Sequence, residues 1–316
     1  MVFFMTGEAR AVKRSGWNGR KKKQLKLVLL LLPFMALVFV FSYAPLFGWG
    51  YAFVDFTPGV SMFESKFVGL KYFRRIFGNS ADFIKVMRNT LTISSMNICC
   101  SVLPAIFAIA LSMVKRPRFA KLVQTASSIP NFLSWVLVYS IVFMLIASES
   151  SAMNIILMRL GLVSSPLSPL TNYEHAWTIQ VSIGVWKSLG YNAIIYLSSI
   201  TSIDQELYEA ADVDGADAWK KVLHITVPGL LPTFFVLLLL AISNMLSNGF
   251  DQFWLLATGM TWDKLEVFDT YVYRMGIKNM EYSLATAMGI FKSVVSILLL
   301  TAANIGSKKL RGTSIF

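Results

Sequence analysis

Six stretches of this 316-residue chain are long and apolar enough to cross a lipid bilayer, and that limits the fold more than any motif does. A helix rises about 1.5 Å per residue, so about 20 mostly apolar residues cover roughly 30 Å of hydrocarbon. The stretches run from about Leu27 to Phe47, Asn89 to Val114, Leu122 to Ala147, Ala176 to Ile200, Leu230 to Asn248 and Ser283 to Ile305. A mean hydropathy of +0.60 with 15% charged residues fits the same reading. The expected fold is all-α, a polytopic membrane protein with six transmembrane helices. Pro33, Pro104 and Pro130 lie inside three of them and predict kinks, which a spanning helix tolerates when neighbours satisfy the freed carbonyls.

The net charge of +12 does not point to nucleic acid, because the basic residues gather at the ends of the apolar stretches. With the amino terminus placed inside, 17 lysines and arginines fall on the inner side and 10 on the outer, which puts both termini in the cytoplasm. Met1 to Met5 is apolar and a basic stretch follows, the reverse of a signal peptide, so the first span is expected to be retained. The predicted organisation is a basic cytoplasmic tail, residues 1–24, and one membrane domain, residues 25–316. In the first outer loop Phe67, Leu70, Phe73 and Phe77 have the spacing of a helix lying in the interface, with Lys71, Arg74 and Arg75 at headgroup level. In the second, Met153, Ile156, Leu157 and Leu160 predict a surface helix, and Ser164 to Pro169 an extended linker. Cys99 and Cys100, the only cysteines, sit in an apolar run that builds neither a zinc site nor a disulfide framework.

The segment from Thr201 to Val227 differs from the short basic inner loop at Lys115 to Lys121. It carries six acids against Lys220 and Lys221. Ser202 and Gln205 have capping-box spacing, after which Leu207, Ala210 and Ala211 share one helical face and Glu206, Glu209 and Asp212 the other. Gly215 can turn the chain, Trp219 to Ile225 suits a second short helix, and Pro228 suits the first turn of the next span. A helix-turn-helix elbow is predicted over residues 201–229.

Glu209-Ala210-Ala211, three residues, Gly215, nine residues, Ile225, two residues and Pro228 resemble the "EAA" signature of ABC import permeases. Val227 stands where that signature usually has leucine. Glu206-Leu207-Tyr208 before it and Asp214-Gly215-Ala216 within it are similar to the carbohydrate-uptake branch, with Asp204 where the branch usually has proline. Phe67 to Phe73, Asn89-Thr90-Leu91 and Phe250-Asp251 add shorter likenesses, so the resemblance spans about Leu25 to Leu310. It implies a type I ABC importer permease fold, with the elbow as a coupling helix that docks on a cytoplasmic ATPase dimer. Glu209, Ala210, Ala211, Gly215, Ile225 and Pro228 would then carry the coupling. It further implies ATP and Mg bound by the ATPase and not by this chain, an extracellular solute-binding protein, and a second permease subunit, usually a different one, with a homodimer left open.

No phosphate loop of the form Gly-x4-Gly-Lys-Ser/Thr occurs, and His175 and His224 are separated by a span, so no catalytic residue and no metal site is predicted. Lys187 and Lys292 lie inside spans. Each either faces a translocation path, or snorkels or pairs with a backbone carbonyl. A sugar site wants aromatic faces beside amides and hydroxyls. Trp186, Tyr191, Asn192 and Tyr196 in the fourth span, and Asn244, Asn248, Gln252 and Trp254 around the end of the fifth, supply that mixture. Interhelical hydrogen bonds and interfacial aromatic belts would use the same residues. The expected function is a permease subunit in the cell membrane importing a sugar or oligosaccharide. The alternatives are a non-sugar cargo for the same machine, or an ion-driven secondary transporter with a lysine at its coupling site.

Overall fold

A computed structural model describes residues 17–78, 80–147 and 150–311. Residues 1–16 of the expected tail lie outside them. From Trp17 the chain is already helical, so the basic run Arg20 to Lys23 belongs to a helix. The chain divides after Gly50 into a short unit and a long one. In the short unit α1 (Trp17–Val38) passes Pro33 without interruption, and a π turn at Phe39–Tyr43 follows.

The long unit opens with strands β1 (Val54–Asp55) and β2 (Lys66–Phe67), paired antiparallel. The predicted first-loop helix forms as α2 (Lys71–Gly78), but its inward residues are Tyr72 and Ile76, one turn apart, packed with Val86, Phe268, Tyr271 and Leu284. Phe67, Leu70 and Phe77 stay exposed. Two of its bases are taken up by carboxylates of neighbouring segments: Lys71 pairs with Asp55 at 3.1 Å and Arg75 with Glu281 at 2.7 Å. The Tyr72 hydroxyl donates to Asp55 at 2.5 Å. Burial and that carboxylate push its phenol up to about 12, so it remains a donor at any physiological pH.

The second span is α3 (Ser80–Cys100) and α4 (Leu103–Ser112), parted by a turn at Ser101–Val102 just ahead of Pro104, where the kink was expected. It begins at Ser80 and not at Asn89, because Val86 is held in the cluster under α2. The third expected span is two helices, α5 (Pro117–Phe132) and α6 (Trp135–Val142). Leu133 is extended after Pro130, and the Ser134 hydroxyl caps α6 by accepting from the Leu137 amide at 3.4 Å. The predicted surface helix is α7 (Ala152–Arg159); its buried Asn154 holds the linker by bonding both backbone groups of Leu167, at 2.7 and 2.9 Å.

Next come α8 (Ala176–Thr201), α9 (Gln205–Val213), α10 (Ala218–Lys221) and α11 (Val227–Ser243). The fifth span starts at Ala218 and not at Leu230, because a π turn at Val222–Thr226 joins α10 to α11 without a break. The wider turn makes room for Pro228, which lacks an N–H and whose ring would clash with a regular preceding turn. The span ends at Ser243 and not at Asn248: the Ser243 hydroxyl and the Asn244 amide both donate to the Leu240 carbonyl. Three short helices follow, α12 (Asp251–Leu256), α13 (Trp262–Leu265) and α14 (Phe268–Tyr273), and then the sixth span, α15 (Tyr282–Arg311).

Five helical stretches among the described residues are long and apolar enough to span a membrane: Gln24–Phe53, Ala81–Ser112, Trp135–Arg159, Ala218–Ser243 and Tyr282–Lys308. The fourth expected span, α8, has the length at 26 residues but too many polar side chains to be among them. Within the long unit α3, α4, α5 and α11 pack around it. The closest approach is at Gly190, where a Cβ would lie 2.3 Å from the carbonyl carbon and oxygen of Ser127 in α5, the small-residue packing expected between helices in a membrane. Gly190→Ala should destabilise the fold by about 1–3 kcal/mol through overpacking. Gly289→Ala, with open space at its Cβ, should be neutral. Thermal unfolding of the detergent-solubilised variants measures both.

Candidate functional site

The elbow is built from local hydrogen bonds. Ser202 ends α8, and Asp204, not Ser202, caps α9, its carboxylate accepting from the Glu206 amide at 3.0 Å. At the other end Gly215 takes φ +70°, the Ala216 amide donates to the Ala211 carbonyl at 2.8 Å and the Gly215 amide to Asp212 at 3.1 Å. That pair of bonds is a Schellman motif. A Cβ on Gly215 would touch nothing, so glycine is needed there for its backbone conformation alone. Asp217 then caps α10 by accepting from the Lys220 amide at 2.7 Å.

The elbow is also fastened to the span it precedes. The Tyr208 hydroxyl bonds the Thr226 hydroxyl at 2.9 Å, Asp212 pairs with Lys221, and Ile203 packs so closely on Gly229 that a Cβ there would sit 2.6 Å from its Cδ1. The face turned toward the rest of the chain is therefore Tyr208 and Ala211, not Leu207 and Ala210, which are exposed with Glu206 and Glu209. Gly215 and Pro228 are exposed too, and Ile225 is half-buried. Leu207, Val213 and Trp219 leave 53%, 89% and 61% of their surface uncovered, an apolar and acidic ridge left open among the described residues.

Inside the bundle, the broken helices line an open cavity of about 390 Å³. Asn97, Ser101 and Pro104 come from the kinked second span, Asn131 and Trp135 from either side of the α5–α6 break, Lys187, Ser188 and Asn192 from α8, and Gln252 from α12. The Lys187 ammonium donates to the Asn131 carbonyl at 2.8 Å and lies 5.3 Å from the centre of the Trp135 ring. That carbonyl is among the last four of α5, which have no partner within the helix. Lys187 thus meets the negative end of the helix dipole.

Of the residues expected on a substrate path, Asn192 and Gln252 line this cavity. The others do not. Tyr191 is exposed and edge-on to Phe132, and Tyr196 is buried among Ala105, Ala108, Ala193 and Leu230. Asn244 bonds its own helix, and Asn248 donates to the Ser94 hydroxyl at 2.8 Å. Trp186 lies outside it, and Trp254 stacks on Phe250 beneath the Lys278 ammonium. Sequence reasoning missed Asn97, Asn131, Trp135 and Ser188. The signal for Asn97 and Asn131 was present: an amide inside an apolar span must find protein or water.

The second lysine within a span, Lys292, is paired with a carboxylate, Asp269 of α14. The other oxygen of Asp269 accepts the Gly249 amide at 3.0 Å, so one side chain ties together the segment after the fifth span, α14 and the sixth span. Lys292→Met or Asp269→Asn alone should each destabilise the solubilised protein by more than about 1 kcal/mol, since either leaves a partly buried charge alone; the double variant should recover part of the loss. Thermal unfolding of the three variants gives the double-mutant cycle.

Residues 98–312 match the family described as binding-protein-dependent transport system inner membrane component. The protein LplB of Bacillus subtilis is 35% identical over 307 residues, 97% of this chain and 96% of that protein. The polygalacturonan/rhamnogalacturonan transport system permease protein YteP of the same organism is 34% identical, covering 94% of each chain. In three dimensions the chain is similar to a subunit of a bacterial ABC transporter that imports the acidic polysaccharide alginate, with TM-score 0.82, 33% identity and coverage of 93% of this chain and 99% of that one. A bacterial alginate ABC transporter in complex with an alginate pentasaccharide-bound periplasmic protein gives 0.83 at 32% identity, covering 95% and 99%. The chain therefore belongs to the binding-protein-dependent transport system inner membrane components, the multi-pass permease subunits of ABC importers.

Proposed function

We propose that this permease passes a sugar or oligosaccharide, handed over by an extracellular solute-binding protein, through a path shared with a second, different permease subunit. Both termini face the cytoplasm in this reading, which the charge bias of the loops supports. The elbow then lies on the cytoplasmic side and docks on a dimer of ATPase subunits, which bind ATP and Mg; this chain binds no cofactor. The cargo class is supported by the relatives named for polysaccharide transport and by the amides, hydroxyl and tryptophan around the cavity.

One observation carries the coupling role: a fastened elbow whose ridge of Leu207, Glu209, Ala210 and Trp219 is left open. Small Ala210 admits a close backbone approach, and Glu209 offers a carboxylate for a charge-assisted bond to the partner. A push on α9 travels through Tyr208–Thr226 and Ile203–Gly229 into the continuous helix from Ala218 to Ser243. Leu230 of that helix packs with Tyr196 and Ala193 of α8, which lines the cavity with its Lys187 to Asn192 segment. Closure of the ATPase dimer is thereby converted into a change at the cavity, the relay that alternating access needs.

The test is affinity isolation of the chain from solubilised native membranes, with its partners identified by mass spectrometry. The wild-type chain should bring down an ATPase subunit and a second permease. Glu209→Lys should keep the permease and lose the ATPase, with ATP-driven uptake falling at least about tenfold. A wild-type chain isolated alone that moves solute on an ion gradient without ATP would sink the proposal.

A further inference from the structure

The two lysines inside the spans are treated differently by their surroundings. Lys292 has an acid of its own, Asp269. Lys187, near the middle of α8 and 8% exposed, is in no ion pair among the described residues; its ammonium meets the Asn131 carbonyl and the Trp135 ring. A carbonyl dipole and a ring face offset only part of a full charge held away from water. A neutral amide at position 187 would serve that carbonyl equally well without the cost of burying a charge. The ammonium also borders the cavity, whose other walls carry amides and hydroxyls and no carboxylate. A cargo of neutral hydroxyl groups would leave this charge uncompensated when it displaced water; a cargo carboxylate would complete it with a charge-assisted hydrogen bond.

We propose that the cavity receives a sugar unit that bears a carboxylate, a uronic acid, and that Lys187 is the residue that selects it. On entry of the cargo the ammonium shifts its hydrogen bond from the Asn131 carbonyl to the carboxylate. Trp135 offers its face to the C–H side of the ring, and Asn97 and Asn192 meet hydroxyls. The inference rests on the reading of this chain as a saccharide permease and narrows it to an anionic cargo.

The test uses the purified complex of this chain with its partner subunits, free of solute-binding protein, titrated calorimetrically with trigalacturonate and with its methyl ester. The two probes share the same sugar chain and differ at the carboxyl group, charged in one and a neutral methyl ester in the other. Wild type should bind the free acid at least about tenfold more tightly. Lys187→Met should erase that ratio by weakening the acid alone, and Lys187→Arg should keep it. Equal affinity of wild type for the two probes, or an equal loss for both in Lys187→Met, overturns the role of Lys187. If Lys187→Met does not reach the membrane, the wild-type ratio and its retention in Lys187→Arg decide. Loss of the saccharide reading itself would show elsewhere, as absent ATP-driven uptake of any sugar by the wild-type complex.

Discussion

The membrane domain is organised around a helix that lipid cannot accept. Between Ala176 and Thr201 lie Gln180, Lys187, Asn192 and a succession of serines, and every polar group held in hydrocarbon must find its partner within protein or a water-filled space. The apolar spans supply that shelter. Gly190 lets α5 approach to backbone contact, and alanines 105, 108 and 193 let α4 do nearly the same. Close packing alone would leave no path. The neighbours therefore break beside α8, at Ser101–Val102 and at Leu133–Ser134, and the breaks open the cavity while freeing a carbonyl for Lys187. Irregular backbone at membrane depth is tolerated where it lines such a space.

The elbow meets a different demand, rigidity without burial. A nine-residue helix with no buried residue of its own has little reason to persist in water. It is held by a carboxylate cap at one end, a Schellman turn at the other, and two side-chain ties to the following span. These bonds fix its angle while leaving its outer ridge free for a partner. The π turn at Val222–Thr226 keeps elbow and span one lever despite Pro228.

The features legible in the sequence were those with a local cause. Five span-length helices follow from apolar length, the turn at Gly215 from the absence of a Cβ, and the kink before Pro104 from a missing N–H. The errors arise where tertiary partners decide. Apolar spacing gave Phe67, Leu70, Phe73 and Phe77 to an interfacial helix, but it did not show that the same helix turns Tyr72 and Ile76 into the core while Asp55 and Glu281 hold it through Lys71 and Arg75. Ser202 looked like the cap of α9, but α8 runs on to Thr201 and leaves that role to Asp204. Around the cavity the sequence offered Asn192 and Gln252 because they sit among aromatics. Asn97 and Asn131, single amides in apolar surroundings, join them only once four helices are brought together.

The distribution of ion pairs bears on how such a domain can move. The loops joining the first span to the second and the fifth to the sixth lie, by the parity of six crossings, on the side opposite the elbow. Their charges are stapled: Lys71 to Asp55, Arg75 to Glu281, Lys85 to Asp263, and Arg274 through two bonds to Glu266, whose side chain is 1% exposed. Asn89 of α3 donates to the carbonyls of Asp263 and Glu266, and Asp269 reaches Lys292. Around the elbow the described side chains give a single ion pair, Asp212 with Lys221. A displacement imposed at the elbow therefore meets a stiff end across the membrane and must be absorbed between the two. Between them lie the turn before Pro104, the α5–α6 break and the cavity that both of them border.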